Sequence, residues 1–114
     1  MRINKNTDIL IVGSGIAGLS AALMLPNNLK VTLITKGYSK DCSTSWAQGG
    51  IATVLSETDS FKKHINDTIK NGVGLVDKDI ATSIINEGPS CINWLQSQGI
   101  LFTTKNNEID LTLE

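Results

Sequence analysis

Arginine and histidine are scarce in this 114-residue sequence, which contains only Arg2 and His64. Enzymes that act on carboxylate substrates commonly hold them with the guanidinium fork of arginine. Arg2 precedes the first predicted strand, far along the chain from the region where an α/β sheet binds its substrate. Either the substrate is not anionic, or the groups that handle it are absent from this chain. No second titratable group accompanies His64, which is interpreted as an exposed helix residue rather than a general base.

Other absences exclude further classes of protein. The two cysteines, Cys42 and Cys91, lack metal-ligand spacing, and without an export signal they indicate free thiols in a reducing cytoplasm. A net charge of −1 gives no indication of a nucleic-acid or membrane partner. No apolar run approaches the roughly 20 residues of a membrane span. Arg2 and Lys5 precede an apolar stretch, as in a signal peptide, but Asp8 and three glycines interrupt it. We expect a cytoplasmic protein of one domain or part of one, with no metal site.

A glycine-rich turn near the start of the chain follows an apolar run. Ile9 to Val12 is continuously apolar, as in a strand buried on both faces. Gly13, Gly15 and Gly18 then form G-x-G-x-x-G, and helical spacing continues to Leu25. After a strand and before a helix, this motif indicates a dinucleotide site. The first glycine permits the turn, the second admits a pyrophosphate, and the third lets the helix pack on the strand. The alternative is a packing turn without a ligand.

A second apolar run completes a strand–helix–strand unit over residues 8–35. Pro26 ends the helix, and the β-branched segment from Lys30 to Thr35 is predicted to be a parallel strand with a right-handed connection. Dinucleotide folds often place an acid at the end of this strand, where it binds the ribose hydroxyls. Here Lys36 follows instead, which weakens a standard NAD site. Two alternatives remain: NADP, whose 2′-phosphate the lysine would bind, or another nucleotide whose adenine side the lysine would cover.

Residues 36–52 are predicted to be a loop that contacts the ligand. Ser43, Thr44 and Ser45 offer hydroxyl groups, and Gly49 and Gly50 allow the backbone to approach a ligand. Loops of this length in compact domains are often functional. An ordinary long loop is the alternative.

The rest of the chain is predicted to be helical over residues 59–98, followed by short strands within 100–113 that form a hairpin. Asp59 or Ser60 caps a helix that ends near Asn71, Asp77 caps the second helix, and Pro89 begins the third. The residues predicted to face inward are Ile80, Ala81, Ile84 and Ile85 in the second helix and Cys91, Ile92, Trp94 and Leu95 in the third.

Several segments together resemble one flavoprotein family across the whole chain. They are STSWAQGGIA, DSFKKHINDTIKNGVG, CINWLQSQGILF and the final LTLE, with AQGGIA the most specific. In these segments the sequence resembles the L-aspartate oxidases, within the succinate dehydrogenase and fumarate reductase flavoprotein family. The resemblance implies an α/β fold, with a Rossmann-like FAD-binding βαβ unit followed by helices and a short β-hairpin. The chain is then the N-terminal part of an FAD-binding domain, and an incomplete one.

The resemblance also implies an activity, the FAD-dependent oxidation of L-aspartate to iminoaspartate for quinolinate and NAD biosynthesis. L-aspartate is then the substrate, oxygen or fumarate the electron acceptor, and quinolinate synthase a candidate partner. The family's substrate-binding arginines and capping domain are expected to lie beyond residue 114. The isolated chain is therefore expected to be inactive and to bind FAD weakly or not at all. Alternatives are a fragment of a succinate dehydrogenase or fumarate reductase flavoprotein subunit, or a truncated non-enzymatic nucleotide-binding module.

The site residues implied by the resemblance bind the cofactor rather than carry out the chemistry. Ser43 stands where respiratory members carry the histidine that holds covalent flavin, so FAD is expected to be non-covalent. Lys36 is expected near the adenosine. Glu114 is expected to orient the substrate by pairing with its ammonium group, and no catalytic residue is expected in this chain. The cofactor-binding residues implied are Gly13, Ser14, Gly15, Ile16, Ala17, Gly18, Lys36, Ser43, Thr44, Ser45, Trp46, Ala47, Gln48, Gly49 and Gly50.

Overall fold

Two parallel strands and the helix between them form the first of two structural units. The computed structural model describes residues 6–38 and 40–112, and the two units meet in the sequence between Gly49 and Gly50. Strand β1 spans Ile9–Val12, helix α1 spans Ile16–Met24 and strand β2 spans Val31–Ile34. The strands pair in parallel, with Ile9 beside Val31 and Val12 beside Ile34. The predicted α/β class and the strand–helix–strand unit are confirmed.

Hydrogen bonds at both ends of the strand pair fix its register. At the start, the Lys30 N–H donates to Asp8 Oδ2 at 2.8 Å, and the Asp8 N–H donates to the Lys30 carbonyl at 2.9 Å. Thr7 Oγ1 donates to the same carbonyl at 2.6 Å. At the other end, the Gly13 N–H donates to the Ile34 carbonyl at 2.8 Å. The strand pairing therefore extends into the glycine turn and holds it beside the end of β2.

Only one face of the strand pair is covered by α1. A Cβ placed on Gly18 would lie 3.2 Å from Cγ2 of Ile11, so Ile11 faces the helix. Leu10 and Val12 alternate with Ile11 and are exposed, Val12 at 78%. The expectation of a strand buried on both faces is therefore wrong for the described chain. The apolar run shows that β1 can be buried on both faces. Burial of both faces needs a packing layer on each side of the strand pair, and α1 covers only one side.

A short helix interrupts the segment predicted to be a loop. Helix α2 spans Ser43–Trp46, and Cys42 precedes it in an extended conformation. The Ser45 N–H donates to the Cys42 carbonyl at 3.0 Å, which closes this turn. A helix of four residues has no periodicity that a sequence pattern could reveal.

Three helices and a hairpin make up the second unit. Helix α3 spans Phe61–Asn71, α4 spans Lys78–Asn86 and α5 spans Gly88–Ser97. Strands β3, Thr104–Lys105, and β4, Glu108–Ile109, pair in antiparallel fashion. Within the described ranges, none of the helices is both long and apolar enough to cross a membrane.

The helix boundaries of this unit follow the predicted caps. Ser60 Oγ accepts the Lys63 N–H at 3.2 Å. Asp77 Oδ1 accepts the N–H groups of Asp79 and Ile80, at 2.9 and 3.0 Å. Pro89 lies in the first turn of α5, where its missing N–H is not needed.

The core of the second unit is narrower than the apolar pattern suggests. Ile80, Ile84 and Cys91 were predicted to face inward, but all three are exposed. Ile80 and Ile84 each precede a buried residue by one position, about 100° around the helix, and they lie outside the face of α4 that packs against α3 and α5. Among the described residues, the buried apolar ones are Val54, Ala81, Ile85 and Ile92.

The hairpin forms as predicted, but its strands are shorter than expected. Within the predicted range of 100–113, the first strand begins only at Thr104 and the second ends at Ile109. Asn106 and Asn107 form the two-residue turn, with φ of 54° and 67°. Turns of this kind need positive φ at both positions, and asparagine tolerates it better than most residues.

Candidate functional site

A cleft of about 650 Å³ lies at the carboxyl ends of β1 and β2. Ligands of open α/β sheets bind at this edge, and the volume falls in the range of about 300–1,000 Å³ typical of small-molecule sites. All its lining residues belong to the first unit. They are Val12, Gly13, Ser14, Gly15, Ile34, Thr35, Lys36, Asp41, Cys42, Ser43 and Thr44.

The three glycines of the turn meet three different requirements. Gly13 has φ of 112°, which is unfavourable for any residue with a Cβ. A Cβ on Gly18 would overlap the Gly13 carbonyl oxygen, so α1 packs directly against the turn. Gly15 is the N-cap of α1 and lines the cleft with backbone alone. The turn therefore presents main-chain atoms to the cleft.

The first N–H of α1 is bound from another segment of the same unit. The Ile16 N–H donates to Oγ1 of Thr44 at 3.0 Å. Helix α1 has no acidic residue in its first turn, so no charge on the helix itself offsets its positive end. The N-terminal end of α1 is consequently suited to an anionic group.

Ser14 joins the glycine turn to the end of β2. It is buried, with 4% of its surface exposed, and its Oγ donates to Oγ1 of Thr35 at 3.1 Å. Ser14 was predicted to bind the cofactor, whereas Thr35 was not. The position of Thr35 directly after β2 is the signal that could have identified it, because strand ends line such clefts.

Two charged residues of opposite sign line the cleft. The Asp41 carboxylate accepts the Tyr38 N–H at 3.2 Å, and the Asp41 N–H donates to the Tyr38 carbonyl at 2.9 Å. Asp41 therefore closes the turn after β2. Lys36 also lines the cleft, and its side chain carries a positive charge that suits an anionic ligand.

Cys42 lines the cleft although it was not among the predicted site residues. Its Sγ lies 3.3 Å from Oγ of Ser45. The hydrogen bond from the Ser45 side chain, helped by the backbone of the same residue, lowers the pKa of the Cys42 thiol. A lone thiol has no spacing pattern, so only the fold places it in the cleft. The described residues contain no cluster of three or more histidine, cysteine or acidic side chains that could hold a metal.

The structure brings together only part of the predicted cofactor-binding set. Ile16, Ala17 and Gly18 form the first turn of α1. Trp46 is 82% exposed, and it lies outside the cleft lining together with Ser45, Ala47, Gln48 and Gly49. Gly50 belongs to the second unit, and Glu114 lies outside the described residues. The predicted residues that line the cleft are Gly13, Ser14, Gly15, Lys36, Ser43 and Thr44.

Comparison with known proteins identifies relatives over nearly the whole chain. A family model described as "FAD binding domain" matches residues 8–114. The L-aspartate oxidase of Yersinia pestis is 48% identical over 101 residues, which cover 89% of this chain and 19% of that protein. The L-aspartate oxidase of Neisseria meningitidis is 38% identical over 112 residues, covering 98% of this chain and 22% of that protein.

A solved structure shows the same fold. It is a variant of FrdA from the E. coli quinol fumarate reductase, with a TM-score of 0.85 and 31% identity. The match covers 93% of this chain and 19% of that one. The chain thus spans about a fifth of the length of the relatives it matches.

Proposed function

The chain belongs to the FAD binding domain family, and on that premise we propose that its cleft binds FAD as part of an FAD-dependent L-aspartate oxidase. The observation that carries the proposal is the set of groups at the ends of β1 and β2. A glycine turn, the N-cap of a helix and a lysine residue line one cleft of about 650 Å³. The curated relatives named L-aspartate oxidase then favour that enzyme within the family.

The groups in the cleft fit the pyrophosphate of a dinucleotide. Gly13 and Gly15 leave the main chain accessible, and the hydroxyls of Ser43 and Thr44 are donors in the same lining. Phosphate groups bind readily where helix N–H groups and such donors converge.

FAD supplies the two-electron chemistry when bound, and the residues of this chain bind and position it. We place Lys36 at the adenosine side, and the segment from Ser43 to Gly50 along the pyrophosphate and the flavin ring. Ser43 has no ring nitrogen with which to form a histidyl bond, so the cofactor is held without a covalent link.

The complete reaction is part of this proposal. L-aspartate is oxidised to iminoaspartate, oxygen or fumarate accepts the electrons, and the product enters quinolinate and NAD synthesis. Glu114 is proposed to orient the substrate through its ammonium group. Quinolinate synthase as a partner and the cytoplasm as the location both stay predictions.

A second candidate is the flavoprotein subunit of a succinate dehydrogenase or fumarate reductase. The structural match to FrdA favours it. Its identity of 31% is lower than the 48% found for an L-aspartate oxidase. Release of FAD on denaturation with acid would separate the two, because a covalent flavin stays with the precipitated protein.

Equilibrium dialysis against FAD tests the binding proposal directly. We expect weak, saturable binding, with a higher affinity for FAD than for NAD or NADP. Lys36→Glu weakens FAD binding about tenfold, the effect of a lost charge-assisted contact of about 1.4 kcal/mol. Lys62→Glu, an exposed change on α3, is the matched control and leaves it unchanged. Binding that prefers NADP, or equal loss in both variants, contradicts the proposal.

A further inference from the structure

Helix α1 is capped by a residue 28 positions away in the sequence. Helices usually begin with a serine, threonine, aspartate or asparagine whose side chain accepts an N–H of the first turn. The N-cap of α1 is Gly15, in an extended conformation with φ of −74° and ψ of 176°, and it has no side chain to do so. Oγ1 of Thr44 accepts the Ile16 N–H instead, at 3.0 Å.

The capping hydroxyl also stands directly beside the place where a Gly15 side chain would begin. A Cβ on Gly15 would lie 3.4 Å from Oγ1 of Thr44. In dinucleotide turns this glycine keeps the backbone open to the pyrophosphate. The cap from α2 therefore provides an acceptor for the first N–H of α1, while position 15 of the turn carries no side chain.

We propose that Thr44 is a positioning residue for the pyrophosphate site. Its hydroxyl holds α2 against the glycine turn before the ligand binds, an inference that rests on the proposed binding of FAD. A hydroxyl has one donor hydrogen and two acceptor lone pairs. While the oxygen of Thr44 accepts the Ile16 N–H, its hydrogen can be donated to a phosphate oxygen, because Thr44 also lines the cleft.

This arrangement couples two segments that bind one ligand. Helix α2 is a single turn and has no side-chain cap of its own, so its position depends on contacts such as the one to Ile16. Loss of the Thr44 hydroxyl leaves the first N–H of α1 without this acceptor and releases α2 from the turn. Binding of FAD must then order α2 as well, which lowers the affinity.

Variants of Thr44 test the inference through two independent measurements on the whole chain. The first is amide hydrogen exchange of Ile16 by NMR, and the second is the Kd for FAD by equilibrium dialysis. Thr44→Val keeps the shape but removes the hydroxyl, and we expect Ile16 exchange to be faster and FAD binding weaker, each about tenfold. Thr44→Ser restores both. Thr32→Val, the same change in β2 outside the cleft, alters neither.

Several outcomes would overturn the inference, and one separates it from the proposed function. In the wild-type chain, Ile16 must exchange more slowly than Ala17, whose N–H has no acceptor within the helix. This comparison tests the cap even if Thr44→Val does not fold. Unchanged FAD affinity in a folded Thr44→Val chain overturns the positioning role alone. Absence of FAD binding in the wild-type chain overturns the proposal that this cleft binds FAD by itself, and the positioning role with it, whereas the exchange of Ile16 still decides the cap.

Discussion

The three glycines of the glycine turn are required for three different structural reasons. Gly13 is required for its conformation, Gly18 for the space that α1 occupies, and Gly15 for the open main chain. The motif G-x-G-x-x-G predicts all three positions, but it does not say which requirement is the most stringent. Only φ of Gly13 and the Cβ environments of Gly15 and Gly18 separate backbone strain from steric overlap.

Replacement of Gly13 by alanine should destabilise the first unit. A residue with a Cβ at φ of 112° is strained, so Gly13→Ala should lower the free energy of unfolding by about 1–3 kcal/mol. Gly49→Ala is the matched control, since a Cβ there meets nothing within 4 Å, and its effect should stay within about 0.5 kcal/mol. Urea unfolding followed through the NMR signals of β1 measures both, and similar losses in the two variants would refute the strain argument.

The Cys42 thiol should react as a partly activated nucleophile. Its pKa is lowered by the Ser45 hydrogen bond, and the thiolate is the reactive form. Ser45→Ala should raise that pKa, so the midpoint of the pH–rate profile for alkylation should move to higher pH. Near neutral pH the variant should therefore react more slowly. Mass spectrometry measures the rate, with exposed Cys91 as the internal reference, and an unshifted midpoint would disprove the assignment.

Among the secondary-structure elements, α4 shows how a cap fixes a helix boundary. Two N–H groups of its first turn donate to the Asp77 carboxylate, and both lose that acceptor if the side chain is removed. The capping residue therefore contributes more to the start of α4 than helix propensity does, because propensity differences between ordinary residues are below about 0.7 kcal/mol.

Removal of this cap should measurably destabilise the second unit. Asp77→Ala should lower the free energy of unfolding by about 1–2 kcal/mol, whereas Asp77→Asn, which can still cap, should stay close to wild type. Trp94 of α5 lies in the same unit. Its fluorescence in a Trp46→Phe background can follow urea unfolding. Equal losses for alanine and asparagine would show that charge rather than capping is responsible.

Local signals predicted the elements well, and longer-range features less well. The caps at Ser60 and Asp77 can be predicted because each accepting side chain and the N–H groups that donate to it lie within three residues of each other. Helix α2 is too short to show a periodicity in the sequence. The hydrogen bond from the Ile16 N–H to Thr44 joins residues 28 positions apart, so no local pattern indicates it. The exposure of Ile84 and Cys91 depends on which layers surround each helix. A hydrophobic pattern shows what an element can bury, not what covers it.

For the whole molecule, exposed apolar surface is the main departure from an ordinary small domain. Leu10, Val12 and Ile34 lie on the open face of the strand pair in the first unit, all of them exposed. Val12 pairs directly with Ile34 and Leu10 with Thr32, so the exposed side chains form a patch rather than isolated positions. Patches of this kind bind other apolar surfaces.

The open face should bind an apolar dye. The chain should enhance the fluorescence of anilinonaphthalene sulfonate, and the double change Val12→Thr and Ile34→Thr should reduce that enhancement because it removes apolar area from the patch. Leu101→Thr in the second unit, at a residue 94% exposed, is the control and should reduce it less. An equal reduction in both chains would mean that the dye does not report on this face.

The parallel pairing of β1 and β2 also sets the order in which the molecule assembles. Asp8 and Lys30, which begin that pairing, are 22 residues apart, whereas β3 and β4 are joined by a two-residue turn. A hairpin forms in about 1–10 μs, but the parallel pair must first overcome the entropy of closing a long loop. The glycine turn lies inside that loop. We therefore expect the cleft to form after the hairpin, and a weakened strand pair to delay the ligand site without delaying the hairpin.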